Sequence, residues 1–161
     1  MWGFVAVWVG WLQSFAAKIA VARDTRPSGP ALLDALKAGV GAVDAGLADF
    51  GIMTTPQLHF VVRCTNDASY GTPTEDGYNE KLATAFATLF TTFGLTEPIK
   101  LKVDCANGVG APAFAKLAAK LTGKLEVVLC NDGTTGKLND NCGADYVKTN
   151  QAAPPGMYVL A

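Results

Sequence analysis

"IKLKVDCANGVGAPAFAKLAAKLTGKLEVVLC", residues 99–130, decides the fold class. "IKLKVDC" (99–105) and "LEVVLC" (125–130) are short, apolar-rich runs of strand length. Between them "ANGVGAP" is a Gly-rich loop, and "AFAKLAAKLTG" (113–123) carries its apolar residues at helical spacing. Strand, loop, helix, strand is the unit that builds a parallel sheet with a right-handed crossover.

The same order occurs once more before Pro98. "KIAVA" (18–22) predicts a buried strand and the loop "RDTRPSG" follows it. Ser28 is placed to N-cap a helix over "PALLDALKAGVGAVDAG" (30–46), where Leu32, Leu33, Leu36 and Val40 share helical spacing. "LADFGIMTT" predicts the next strand, and Pro56 opens a turn or helix start through "QLHFVVRC". A polar loop (65–76) precedes a long amphipathic helix (77–94) that Gly94 is suited to end. The expected fold class is therefore α/β, with strand-loop-helix units forming mixed or parallel sheets covered by helices. A domain boundary is expected near residues 95–98, giving one unit over 18–96 and a second over 97–161. The second unit has two convincing strands and looks unfinished.

Half of the 161 residues are hydrophobic, enough core for one ordinary domain or two small ones. A net charge of −1, with Lys and Arg scattered singly, excludes a polybasic surface for nucleic acid and argues against a membrane partner. His59 is the sole histidine, which excludes a His-rich metal site. Four widely spaced cysteines without a CxxC pair read as reduced, buried small hydrophobes and suggest a cytoplasmic setting.

Residues 1–17 carry no charged side chain and admit three readings. A transmembrane helix needs about 20 apolar residues, which this run barely reaches. A secretory signal would want a basic start, which is missing here. A packed helix accounts for Phe4, Trp8, Trp11, Leu12, Phe15 and Ile19 as one stripe, although Gly3 and Gly10 weaken it. A misassigned start stands beside these three.

Ligands of open α/β sheets gather at the carboxyl ends of strands, so the loops there are the places to look for chemistry. In "RDTRPSG", Arg23 and Arg26 flank Asp24 at a strand end. Guanidinium forks bind phosphate oxygens bidentately, and the following helix start adds an anion-friendly field. The competing reading is an Arg–Asp tether with no ligand. "VDCANGVGA" has strand–Gly-x-Gly–helix order but lacks the third glycine of a dinucleotide fingerprint, so a tight turn with Asp104 and Asn107 bonding backbone is favoured. His59 reads as structural. Asp132, Asp140 and Asp145 do not have the spacing of a calcium loop.

Together, "VARDTRPSG", "FGIMTTPQLHFVV", "LKVDCANGVGAP" and "LNDNCGADYVKTNQAAPPGM" resemble the eukaryotic phosphoacetylglucosamine mutases, a branch of the α-D-phosphohexomutase superfamily. The resemblance spans residues 18–157. It implies four domains around a deep cleft, and an isomerase interconverting N-acetylglucosamine 6-phosphate and 1-phosphate on the route to UDP-N-acetylglucosamine. It implies a phosphoserine donor, and magnesium held by aspartates to neutralise the transferring group.

This sequence departs from that pattern at both chemical loops. The family's T-A-S-H-N-P-type serine loop has no counterpart in residues 1–22, and Ser69 in "DASYGTP" lacks the His-Asn pair. The D-G-D-x-D-R metal loop should follow "PPGM", where this chain reads "YVLA". The expectation is thus a piece of the mutase: the later part of its first domain and the start of its second, inactive alone. No catalytic residue and no metal ligand is assigned, and magnesium belongs to the complete enzyme. Arg23, Asp24, Arg26 and Ser28 are carried over as lining for the phosphate of the phosphosugar. Two rivals remain: a non-catalytic module binding a phosphosugar or partner, and a paralogue anchored through its Trp-rich start.

Overall fold

The computed structural model describes residues 5–9 and 18–157. They run β1 (Val5–Val9), β2 (Lys18–Arg23), α1 (Gly29–Ala42), β3 (Gly46–Ile52), α2 (Thr55–Asn66), α3 (Glu75–Thr92), β4 (Ile99–Asp104), α4 (Gly110–Ala119), β5 (Leu125–Cys130) and α5 (Gly143–Asn150). The α/β expectation holds, with one sheet in each of two units, Met1–Tyr78 and Asn79–Ala161.

In the first unit β2 is the central strand. It pairs parallel with β3, from Lys18↔Gly46 to Arg23↔Ile52, with a register irregularity between Val21 and Arg23. It pairs antiparallel with β1, from Val5↔Arg23 to Val9↔Ile19. The expected N-terminal helix is therefore corrected over Val5–Val9. That run is an alternation of valines with Ala6 and Trp8, and β-branched residues fit a pleated ladder better than a helical turn. A short apolar run cannot be assigned by periodicity alone. Phe4, Trp11, Leu12 and Phe15 lie outside the described residues. No helix among the described residues is long and apolar enough to cross a membrane.

α1 makes the crossover from β2 to β3, and α2 then packs back against β2. Val21, Leu58 and Val61 are almost fully removed from solvent and form the heart of this unit. α2 begins at a complete capping box. Gln57 N–H donates to Thr54 Oγ1 at 3.4 Å, and Thr54 N–H donates to Gln57 Oε1 at 2.9 Å. Pro56 sits in the first turn, where its missing N–H costs nothing.

The second unit pairs β4 and β5 in parallel, in register from Ile99↔Leu125 to Asp104↔Cys130, with α4 as crossover. Its core gathers Ala83, Leu121 and Leu125, with Phe86, Phe114 and Leu117 packed around them. Ala83 and Phe86 belong to α3, so the divide falls between Tyr78 and Asn79, earlier than the 95–98 expected. α3 closes with a Schellman geometry at Gly94, φ +64°: Leu95 N–H reaches Phe90 O at 3.0 Å and Gly94 N–H reaches Thr91 O at 3.0 Å. "GADYVKTN" forms α5, a helix the sequence reading left as an unassigned segment.

Leu121 is 3% exposed at the centre of the second core. Leu121→Ala should cost about 2–5 kcal/mol, the range for a buried leucine whose cavity does not collapse. A urea titration of the chain checks this, expecting a lower midpoint for this variant and little change for Leu89→Ala, whose side chain is exposed.

Candidate functional site

β2 delivers Arg23 to the edge of the first unit, and the loop after it is shaped by its own polar groups. Asp24 Oδ1 accepts from Arg26 N–H at 3.0 Å, an Asx turn, while Asp24 Oδ2 lies 3.4 Å from Arg26 Nε. Arg23 Nη1 donates to the Asp24 carbonyl at 3.4 Å. Gly29 N–H donates to the Arg26 carbonyl at 2.9 Å and leads into α1. The loop thus brings Arg23, Asp24 and Arg26 together, each half-buried. Asp24 tethers Arg26 through its carboxylate, and touches Arg23 only through its backbone oxygen.

Gly29 is where the loop folds back on the strand. A Cβ added there would stand 3.4 Å from Arg23 Cδ and 3.6 Å from the Asp24 carbonyl. Ser28 occupies the N-cap position, but its expected capping bond is not made. The reason is local. Ser28 has helical backbone angles (φ −75°, ψ −16°) instead of the extended ones a cap uses, and Pro30 supplies no N–H to receive. Its hydroxyl stays exposed beside the two guanidinium groups' loop.

The second unit's loops converge on Asp104 at the end of β4. Its Oδ1 accepts from Ala106 N–H at 2.9 Å and from Asn131 Nδ2 at 2.9 Å, and its Oδ2 accepts from Gly143 N–H at 2.7 Å. Burial alone would raise this carboxyl, yet the bonds from Gly143, Ala106 and Asn131 outweigh it and hold it below the ordinary aspartate value of 3.8. Asn107 completes the knot, accepting from Gly133 N–H at 3.1 Å and donating to the Lys137 carbonyl at 3.0 Å. Gly143 must be glycine: φ is +71°, and a Cβ would fall 2.5 Å from Ala106 Cβ. The structural reading of this Gly-x-Gly loop is the one the geometry bears out.

Other residues weighed from the sequence lie apart. His59 is exposed on α2. Ser69 donates to Asp67 in an exposed turn. Asp132 is taken up locally, accepting from Thr134 N–H at 3.0 Å and from its hydroxyl at 2.7 Å. Burial pushes the Cys105 and Cys142 thiols up, which keeps both protonated and poor nucleophiles at neutral pH. All four cysteines are free. Among the described residues no three His, Cys, Asp or Glu side chains are grouped to hold a metal. Sequence reading missed Gln57, although Thr-x-x-Gln before an apolar run is a capping-box signature.

A family model for phosphoacetylglucosamine mutase AMG1, domain II, matches residues 68–160. The chain belongs to the phosphoacetylglucosamine mutase family. A second model, for the α/β/α domain I of phosphoglucomutases and phosphomannomutases, matches residues 4–72. The chain is 44% identical to the Sus scrofa phosphoacetylglucosamine mutase over 148 residues, which is 90% of this chain and 27% of that protein. To the Arabidopsis thaliana phosphoacetylglucosamine mutase it is 42% identical over 147 residues, 87% of this chain and 26% of that one. The Aspergillus fumigatus N-acetylphosphoglucosamine mutase, solved in complex with GlcNAc-6P and magnesium, superposes with TM-score 0.76 at 45% identity, covering 89% of this chain and 30% of that one. The chain therefore spans little more than a quarter of the length of these relatives.

Asp104 provides a pH test. Its depressed carboxyl contributes stability that is fully present above 3.8 and is lost as pH falls through its folded-state value. Asp104→Asn puts an NH2 group where one of three donors now points, at a cost of about 1–3 kcal/mol at neutral pH. Urea titrations at pH 7 and pH 3 should show a wide gap between wild type and variant at pH 7 that narrows at pH 3.

Proposed function

We propose that this chain supplies two α/β units of an isomerase that interconverts N-acetylglucosamine 6-phosphate and 1-phosphate on the route to UDP-N-acetylglucosamine. Identity of 42–45% to mutases, running through both units, is the observation that carries the reading. Within the chain, the Arg23–Ser28 loop lines the phosphate. Arg26 offers a guanidinium fork already oriented by Asp24, Arg23 offers a second, and the Ser28 hydroxyl is left over from capping to donate to a phosphate oxygen. The ion pair between Asp24 and Arg26 lowers the entropy lost when the fork closes on an anion.

Magnesium accompanies GlcNAc-6P in the Aspergillus fumigatus relative. The described residues of this chain do not fit it, since no acidic cluster is assembled among them. The reading for the chain by itself is phosphosugar recognition without turnover, in a cytoplasmic setting suited to free thiols.

The test combines binding and turnover on the purified chain. GlcNAc-6P should perturb the Arg23–Ser28 resonances, while no GlcNAc-1P forms with magnesium present. Arg26→Ala should weaken GlcNAc-6P binding about tenfold or more, as expected for a lost charge-assisted bond. Unchanged affinity in Arg26→Ala would remove the loop from the phosphate site.

A further inference from the structure

Gln57 is 2% exposed, one of the most deeply buried polar side chains in the chain. Its carboxamide makes three hydrogen bonds. Oε1 accepts from Thr54 N–H at 2.9 Å and from the Thr54 hydroxyl at 2.9 Å, and Nε2 donates to Glu75 Oε1 at 3.2 Å. A capping box needs the first of these bonds alone, and a surface glutamine would serve. Burying an amide at this position commits the surrounding structure to satisfying it.

The turn that Gln57 grips touches the phosphate loop directly. Met53, the residue before Thr54, donates its N–H to the Arg23 carbonyl at 3.1 Å. This bond lies where the β2–β3 ladder has already lost its regular register, between Val21 and Arg23. Beyond that slip Arg23 still pairs with Ile52 and, on its other edge, with Val5 of β1. The Met53 bond is the last rung that β3 lays on it, set directly before the Thr54 cap. Arg23 Cδ then lies against Gly29, within 3.4 Å of where a Cβ would be. The strand side and the helix side of Arg23 are thereby both fixed.

We infer that Gln57 is the positioning residue for the Arg23 guanidinium, acting through the Thr54 cap and the Met53–Arg23 bond. The inference rests on the phosphate reading of the Arg23–Ser28 loop. Gln57 touches no ligand; it holds the turn against which Arg23 is set. Its Oε1 does the positioning, and its bond to Glu75 fastens the α3 start to α2.

That division makes the inference testable by substitution. The probe is GlcNAc-6P, titrated into the 161-residue chain, with affinity read by NMR on the folded protein so that lost stability alone does not register. Arg23→Ala should weaken binding about tenfold. Gln57→Leu, which removes the acceptor for Thr54, should weaken it about fivefold. In the double variant the loss should equal that of Arg23→Ala alone, because Gln57 acts only through Arg23. Glu75→Ala removes the acceptor of Gln57 Nε2 and leaves Oε1 on Thr54. It should bind as wild type while melting earlier. A folded Gln57→Leu with wild-type affinity, or additive losses in the double variant, would overturn the inference. Should Gln57→Leu fail to fold, Thr54→Ala decides, since it removes the hydroxyl through which Gln57 grips the turn: wild-type binding there sinks the positioning role. An Arg23→Ala variant that binds normally would instead strike the phosphate reading itself.

Discussion

Parallel strand pairing is the constraint on which the rest of this structure depends. A parallel pair cannot be closed by a tight turn, so each pair here carries a helix between its strands, α1 in the first unit and α4 in the second. The carboxyl ends of both strands then lie at the same edge, and the loops leaving them must satisfy each other's backbone. In both units the last ladder residue of the first strand does this work. Arg23, paired with Ile52, receives Met53 N–H on its carbonyl. Asp104, paired with Cys130, receives the Asn131 amide on its carboxylate, and the next residue, Cys105, donates to the Cys130 carbonyl at 2.9 Å.

The two units then diverge in what they leave over. In the first, the loop is held by backbone groups and by one small carboxylate, so Arg23 and Arg26 remain half-exposed. In the second, the carboxylate itself is the staple, and three neutral donors consume it. Replacing any of those donors with a cation would require giving up a bond in a partly buried setting, where an unmatched N–H costs about 1–3 kcal/mol. The same strand-end position therefore leaves cationic side chains half-exposed in one unit and is consumed by cohesion in the other. The chemistry of the side chain decides which.

Much of this was legible in the residues. Apolar runs of strand length separated by helical spacing gave the α/β class and every strand from β2 to β5, because these periods report directly on burial. Gly94 was legible as a helix stop because αL backbone selects glycine. The pairing of Asp24 with an arginine was legible from their separation of two residues. Other features were not. "VAVWV" offers the same apolar run to a helix or a strand, and its ladder with β2 is a long-range choice. α5 starts at a glycine of positive φ after an Asn-rich loop and stays together because Asp104, distant in sequence, receives its first N–H. The domain divide was set too late because α3 reads as the end of one repeat, while its Ala83 and Phe86 complete the next unit's core.

Ser28 and Gln57 show how a motif can be recognised and its physics still misassigned. Ser28 has the composition of a cap but the wrong backbone, and the proline two residues on removes the donor that a cap would take. Its hydroxyl is thus left free by the same loop that presents two arginines. Gln57 stood inside a segment quoted for its resemblance, with no role attached. The fold gives it one, since a buried amide with three bonds is costly to accommodate unless its neighbours are built around it. What is built around it is the turn beside Arg23. The capping box, the register slip and the close approach at Gly29 are then three parts of one arrangement that sets a single guanidinium at the end of β2.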